Sequence, residues 1–162
     1  MPIKISFSLK NHYNFSKSML FFIILYSNSL YIVQKLVFII NPISGTASKK
    51  SMPALIDKYI DRNRFDIEIK FTEYAGHASV LATEAKEAGI DVVVAVGGDG
   101  TINEVARALV QSKTALGIIP CGSGTGLARH LMLPLNAKGA LEVINNCKIH
   151  DLDYGIINNH SF

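Results

Sequence analysis

The sequence predicts an α/β fold, with a mostly parallel sheet covered by helices on both faces. From residue 35 onward, apolar segments of strand length alternate with segments of helical periodicity. Two strand candidates, residues 35–40 and 92–96, are nearly continuous apolar runs, which is typical of parallel strands buried on both faces. The segments between strands are long enough for crossover connections, so parallel pairing is expected.

The first half of this pattern contains two strands and two helices. Residues 35–40 (KLVFII) form a buried strand that stops at the Asn-Pro-Ile-Ser-Gly turn, 41–45. A helix over about residues 52–62 has apolar residues at helical spacing. Residues 65–71 (FDIEIKF) alternate apolar and charged side chains, which predicts a half-exposed strand at or near a sheet edge. An Ala/Glu/Lys-rich helix over residues 75–89 ends in a glycine.

The second half repeats the alternation. Residues 92–96 form an all-apolar strand that leads directly into a glycine-rich turn, and a helix is predicted from Thr101 to about Gln111. A short strand over residues 116–119 is broken by the glycine-rich segment 120–126. Helices are predicted over about residues 126–132 and 138–146, and residues 149–157 form a last extended segment.

The turn Gly97-Gly98-Asp99-Gly100-Thr101 predicts an anion site. Its glycines let a ligand approach the backbone closely, and the amides at the start of the next helix favour negative charge. The Asp99 carboxylate would repel a bare phosphate in this place unless a divalent cation or a proton transfer is involved. This combination of amide donors and a carboxylate indicates nucleotide chemistry, although the spacing matches neither the P-loop nor the dinucleotide fingerprint. The alternative is that the turn is only a tight connection between strand and helix.

Composition narrows the function further. A chain of 162 residues with 49% hydrophobic content suits one globular domain. The net charge of +3 is too small to indicate a nucleic-acid partner, but it is compatible with anionic substrates or an anionic membrane surface. Cys121 and Cys147 provide neither a disulfide framework nor metal-ligand spacing, which favours a reducing, cytoplasmic compartment.

Residues 1–34 differ from the rest, since they are rich in Ser, Asn and aromatic residues and lack acidic ones. Their apolar run, residues 19–26, is shorter than the roughly 20 residues that span a bilayer. It is similar to the apolar part of a signal peptide, although no clean cleavage site follows. Three interpretations stay open: an export signal, an interfacial anchor, or an extension upstream of the natural start. The third is preferred, because a nucleotide site fits the cytoplasm and the folded pattern begins near residue 35.

Four loops with turn or hydroxyl residues follow separate predicted strands. They lie at residues 41–45, at Thr72, and at residues 97–101 and 122–125. Because ligands of parallel sheets bind at the carboxyl ends of the strands, we expect these loops to face one crevice. Their coincidence at that edge is more informative than any one loop.

These loops contain Asn41-Pro42-x-Ser44-Gly45, Thr72 with Gly76-His77-Ala78, Gly97-Gly98-Asp99-Gly100-Thr101-x-Asn103-Glu104-Val105, and Pro120-x-Gly122-Ser123-Gly124 with Leu127-Ala128-Arg129. In this order, they resemble the diacylglycerol kinase catalytic-domain family, which includes bacterial lipid kinases, sphingosine kinases and ceramide kinases. The resemblance covers about residues 35–162. It implies a fold similar to the nucleotide-binding domains of 6-phosphofructokinases and NAD kinases. It also implies transfer of the ATP γ-phosphate, with Mg²⁺, to the hydroxyl of a diacylglycerol-like or sphingoid lipid at a membrane surface.

The resemblance also implies roles for individual residues. It assigns Thr72 to a contact near the base or ribose, and Asp99 to a role through Mg²⁺ or as the base for the lipid hydroxyl; both roles stay open. Ser123 stands where the family usually has Thr and keeps the hydroxyl, whereas Thr125 replaces the usual Asn. The remaining residues assigned to nucleotide contacts are Asn41, Pro42, Ser44 and Gly45 in the pocket, and Gly97, Gly98, Asp99, Gly100, Thr101 and Asn103 around the phosphates.

Two further assignments remain open at this stage. Arg129 and His130 either meet an anionic head group or are solvated residues at a helix end. Glu104 either orients the glycine-rich loop or favours the helix N-terminus through the dipole. The family's second, largely β domain follows this one, and residues 151–162 resemble the start of it. We therefore expect this chain alone to bind nucleotide weakly and to turn over little.

Three other functions compete with a lipid kinase. A nucleotide-binding module without catalysis would have the same loops. An NAD kinase shares the Gly-Gly-Asp-Gly-Thr turn, but we would expect an Asn-Leu-Gly type of loop after the next strand. A dinucleotide-dependent oxidoreductase fits least, because Gly122-x-Gly124 lacks the third glycine and the expected acid falls at Glu142 in a predicted helix.

Overall fold

A computed structural model of the chain describes residues 33–43, 51–122, 125–151, 156–157 and 160–161. Residues 1–32 lie outside this range, so the structure does not test the three interpretations of the N-terminal extension. Residues Val33–Phe162 form one compact unit. Its elements, in chain order, are β1 (Gln34–Ile40), α1 (Met52–Tyr59), β2 (Phe65–Phe71), α2 (His77–Glu87), β3 (Val92–Gly97), α3 (Asp99–Leu109), β4 (Ala115–Pro120), α4 (Gly126–His130), α5 (Ala137–Asn146), β5 (Ile156–Ile157) and β6 (His160–Ser161).

The main sheet has four strands in the order β2-β1-β3-β4, and every neighbouring pair is parallel. This confirms the predicted α/β class. The central strands are buried along residues 36–40 of β1 and throughout β3, as their apolar runs predict. Strand β2 lies at an edge, and its side chains vary in burial along the strand, which confirms the prediction from its alternating pattern.

The order in which strands are added to the sheet reverses at β1. Strand β2 pairs with one side of β1, and β3 pairs with the other. Such a reversal in strand order opens a crevice outside the carboxyl ends of the two strands concerned. The loops after β1 and β3 therefore lie beside each other, where the Asn41 N–H donates to the carbonyl oxygen of Val96 at 3.1 Å.

Helices cover both faces of the sheet. On one face, α1 and α5 pack large apolar side chains such as Met52, Ile56 and Leu141 against Phe38 and Ile40. On the other face, α2 and α4 supply small side chains, which include four buried alanines: Ala78, Ala82, Ala85 and Ala128. Three of these alanines lie on α2 and one on α4, whereas α3 packs the larger side chains of Ile102, Val105 and Leu109 against the same face.

Several helix boundaries differ from the prediction. Helix α3 begins at Asp99, two residues earlier than predicted, because Gly98 is an extended N-cap residue directly after β3. It ends at Leu109, since Gln111 has a φ of 57° and cannot continue a helix. Helix α1 stops at Tyr59, where the next residue, Ile60, turns to an extended backbone.

The end of the described chain also differs from the prediction. Helix α4 ends at His130, because Met132 has a φ of 54°. Within residues 149–157, the predicted extended segment is a strand at Ile156–Ile157, which pairs antiparallel with His160–Ser161. In the part of the chain that the structure describes, no helix is both long enough and apolar enough to cross a membrane.

Candidate functional site

Asn41, the first residue after β1, joins the first loop to helix α3. Its Nδ2 donates to Thr101 Oγ1 at 3.1 Å, and its Oδ1 accepts from the Ile43 N–H at 2.9 Å. The half-buried Asn41 side chain therefore holds both the turn that follows it and the first turn of α3. Pro42 lies exposed in that turn. Ser44 and Gly45, which are assigned to the nucleotide pocket, fall outside the described residues.

Gly97 is required by the packing between β3 and α3. A Cβ at Gly97 would lie 2.6 Å from Thr101 Oγ1 and 2.7 Å from Thr101 Cβ. Thr101 cannot easily retreat, because its side chain is buried and accepts the hydrogen bond from Asn41. A side chain at residue 97 would therefore push α3 away from the sheet.

Helix α3 begins at the carboxyl end of a central strand with its first amides uncapped by a side chain. Gly98 is the N-cap, and no side-chain hydrogen bond caps it. The amides of the first helical turn have no partner within the helix, and the helix dipole makes this end favourable for an anion. Asp99 and Gly100 are exposed at this end, and Asn103 is exposed one turn later.

The Asp99 carboxylate links the starts of α3 and α4. Its Oδ1 accepts from the Gly126 N–H at 3.0 Å, and its Oδ2 lies 3.3 Å from the same nitrogen. Asp99 is otherwise exposed. The contact brings the third and fourth loops together, and it makes Gly126 a candidate site residue that the sequence motifs do not include. A glycine at the first helical position after a glycine-rich loop was the available signal.

The described glycines fall into two groups. The first group is explained by the fold, either through a positive φ (Gly76, Gly89, Gly122) or through a Cβ that would meet an atom within 3.0 Å (Gly97, Gly117, Gly139). The second group has neither reason: Gly98, Gly100 and Gly126 have no positive φ, and a Cβ there would meet nothing closer than 3.6 Å. Gly98 precedes Asp99, Gly100 follows it, and the Gly126 N–H donates a hydrogen bond to its carboxylate.

The loop after β2 is held at both ends. Thr72 is buried, and its N–H donates to the carbonyl oxygen of Ile40 at 2.9 Å, which continues the β1–β2 pairing. Further along, the Glu73 N–H donates to His77 Nδ1 at 3.0 Å, and the Tyr74 and His77 rings stack with centroids 4.4 Å apart. Thr72 therefore lies at the carboxyl edge of the sheet, on the far side of β1 from Asp99.

Glu104 contacts this loop. Its Oε1 accepts from the Gly76 N–H at 3.2 Å, across 28 residues of sequence. This contact is with the loop after β2, whereas the two roles left open for Glu104 concern the glycine-rich loop and the helix dipole.

The fourth loop is described in part. Gly122 has a φ of 132°, a backbone conformation that glycine adopts without strain, and Thr125 is buried. Ser123 falls outside the described residues. Arg129 and His130 lie exposed in the last turn of α4.

The described residues include no cluster of metal-binding side chains. In that part of the chain, no group of three or more His, Cys, Asp or Glu side chains could hold a metal ion without other ligands.

Burial raises the pKa of the Cys147 thiol, which lies beyond the C-terminus of α5. A raised pKa leaves less of the thiol as thiolate, the nucleophilic form, at neutral pH.

Comparisons with known proteins show which family this chain is similar to. The family model described as diacylglycerol kinase catalytic domain matches residues 35–157. A diacylglycerol kinase of Staphylococcus haemolyticus is 35% identical over 127 residues, which are 76% of this chain and 38% of that protein. One of Staphylococcus saprophyticus is 34% identical and is covered over 41% of its length. The chain thus spans about two fifths of these curated relatives.

Solved structures show the same fold. The crystal structure of a diacylglycerol kinase from Bacillus anthracis superposes with a TM-score of 0.70 at 26% identity. The match covers 80% of this chain and 44% of that one. A second structure from the same organism, titled a putative diacylglycerol kinase, has the same TM-score and identity, and 48% of it is covered.

Proposed function

The chain belongs to the diacylglycerol kinase catalytic-domain family, and from that premise we propose that it is the nucleotide-binding domain of an ATP-dependent lipid kinase. The reaction transfers the γ-phosphate of ATP to the hydroxyl of a diacylglycerol-like or sphingoid lipid. The reaction takes place on the cytoplasmic side of a membrane, to which the protein binds peripherally.

The observation that supports this proposal is the group of three glycines around Asp99. Glycine at an exposed helical position costs stability relative to alanine, so Gly100 needs a reason that the fold does not supply. A ligand that lies against the backbone is such a reason, because a Cβ would occupy its place. Gly98, which precedes Asp99, and Gly126, which hydrogen-bonds to it, also leave room, because a Cβ at either residue would meet nothing closer than 3.6 Å.

The chemical character of this space fits a triphosphate. The uncapped start of α3 offers amide donors and the positive end of a helix dipole, both of which favour phosphate oxygens. The Asp99 carboxylate would repel phosphates alone, but it fits a phosphate with its divalent cation. Mg²⁺ bound with ATP would neutralise phosphate charge there, and Asp99 is the described side chain best placed to contact it.

Each part of the site then has a role. Asn41 and Thr101 hold the first and third loops in register, while Gly98, Gly100 and the start of α3 receive the phosphates. Thr72 lies where the ribose or base would contact the loop after β2. If Asp99 acts as the base, the lipid hydroxyl gives its proton to the carboxylate, its oxygen bonds to the γ-phosphorus and ADP leaves.

The test has a binding stage and a turnover stage. Titration calorimetry with ATP and MgCl₂ on this chain is expected to show one site, and ATP is expected to raise the melting temperature. The full natural protein that contains this chain is then incubated with labelled ATP and a panel of diacylglycerol, sphingoid and phospholipid acceptors. Label in a lipid is the expected result.

Other outcomes separate the competing functions. Stabilisation by ATP without label in any lipid would favour a nucleotide-binding module that lacks catalysis. Formation of NADP from NAD would favour an NAD kinase. Absence of ATP binding by both the chain and the full protein would overturn the proposal.

A further inference from the structure

We propose that Glu104 is a positioning residue, which holds the loop after β2 against helix α3 in the geometry that nucleotide binding requires. This inference rests on the proposed function and names a residue that acts through its neighbours. The observation is the hydrogen bond from the Gly76 N–H to Glu104 Oε1 at 3.2 Å.

The loop needs an acceptor at Gly76. Gly76 is the N-cap residue of α2, it has a φ of 86°, and no side-chain hydrogen bond caps the helix there. The half-buried Gly76 amide would otherwise lack a partner at the start of the helix. Glu104 supplies the acceptor from a different helix, so the loop and α3 are held together where α2 begins.

Helix α3 is a suitable reference for the loop because its own position is fixed. Its first turn is held by the Asn41–Thr101 hydrogen bond at 3.1 Å and by the close packing of Thr101 on Gly97. The opposite end of α2 is also joined to α3, since Lys86 Nζ donates to the carbonyl oxygen of Ala108 at 2.9 Å. The residues proposed to meet the ribose or base are therefore tied to the helix proposed to meet the phosphates.

If Glu104 acted through the helix dipole, its negative charge would matter and its hydrogen bond to Gly76 would not. Charge near a helix N-terminus acts mainly within the first turn, and Glu104 is the sixth residue of α3. A glutamine at this position keeps an oxygen that can accept from Gly76 but loses the charge. A methionine keeps the length and helix propensity but loses the acceptor. The two substitutions therefore separate the hydrogen bond from the charge.

The experiment measures the affinity of Glu104→Met and Glu104→Gln for ATP and for inorganic tripolyphosphate, each with MgCl₂, by calorimetry. Glu104→Met is expected to raise the Kd for ATP by up to about tenfold, the factor that results when the free energy of the lost hydrogen bond is taken entirely from the loop conformation that binds ATP. Its Kd for tripolyphosphate is expected to stay within about twofold, because the phosphates contact α3 and not the loop. Glu104→Gln is expected to behave like the unaltered protein with both ligands.

Glu87 provides the matched control, since it is an exposed glutamate at the last residue of α2. Glu87→Met and Glu87→Gln are expected to leave both affinities unchanged. Melting curves check that each variant is folded, and Glu104→Ala is a second way to remove the acceptor.

Three results would overturn the inference: unchanged ATP affinity in Glu104→Met, equal weakening of ATP and tripolyphosphate, or Glu104→Gln behaving like Glu104→Met. Absence of ATP binding by the unaltered protein would overturn the proposed function, and this inference with it.

Discussion

Strand β3 is flanked by an aspartate at each end, and the two differ in their surroundings. Asp91 precedes the strand, and its Oδ2 accepts from the Lys35 N–H at 2.8 Å. Asp99 follows the strand, and its Oδ1 accepts from the Gly126 N–H at 3.0 Å. Both side chains are exposed and each accepts a backbone hydrogen bond, so hydrogen bonding does not distinguish them.

The backbone around the two residues does distinguish them. At the amino end, Asp91 lies in a network that joins β1, β3 and β4, in which its N–H donates to the Lys35 oxygen and its own oxygen accepts from Ala115. Thr114 Oγ1 closes this network by donating to the Ile90 oxygen at 2.8 Å. At the carboxyl end, glycines leave open space around Asp99. The glycines that leave the backbone open therefore distinguish the candidate site, since a hydrogen-bonded aspartate occurs at both ends of β3.

The largest effect on activity is expected from a substitution of Asp99. Asp99→Asn keeps an oxygen that can accept from Gly126 but loses the charge and the ability to take a proton. We expect lipid phosphorylation by the full natural protein to fall by at least about 100-fold, with the melting temperature nearly unchanged. Full activity in this variant would contradict the role proposed for Asp99.

A second prediction tests the packing that positions the carboxyl end. Gly97→Ala places a Cβ about 2.6 Å from Thr101 Oγ1, and overpacking of this kind typically costs about 1–3 kcal/mol. We expect a lower midpoint in urea unfolding, with Gly98→Ala as the control, because a Cβ there would meet nothing closer than 3.6 Å. Equal stability of the two variants would mean that α3 can shift without cost.

A third prediction concerns Asp91, at the amino end of strand β3. Asp91→Ala removes the acceptor for the Lys35 N–H, and the loss of one such hydrogen bond costs about 1 kcal/mol. The unfolding midpoint should fall, while the affinity for ATP should stay unchanged because the network lies at the opposite edge of the sheet. Asp91→Asn, which keeps an acceptor, should lose less stability. A weakened ATP affinity in Asp91→Ala would break the distinction between the two ends.

The smallest effect on stability is expected at Gly100, and it has the opposite sign. Gly100→Ala lies in the first turn of α3 with no atom near its Cβ, so it should stabilise the protein by about 0.5 kcal/mol. The same methyl group should weaken ATP binding, because it occupies space proposed for the phosphates. Calorimetry and urea unfolding on one preparation measure both. Tighter or equal ATP binding would remove Gly100 from the site.

The sequence by itself determined the four strands of the main sheet and the kind of fold. Hydrophobic periodicity is a local property, so the buried runs of β1 and β3 and the alternation in β2 were readable without the structure. The glycine-rich turn after β3 predicted an anion site for the same reason, and this site stays a prediction. Helix ends were less accurate: α3 begins at Asp99 because Gly98 caps it, and a local pattern does not determine where such a cap falls.

Only the tertiary structure decided which residues act together. Asn41 meets Thr101 across 60 residues, Glu104 meets Gly76 across 28, and Asp99 meets Gly126 across 27. It also separated Gly97, whose absent side chain makes room for Thr101, from Gly100, whose absent side chain leaves open space. The physical reason is that such contacts depend on strand order, register and helix packing. These arise from the whole chain, so no single stretch of it determines which residues meet.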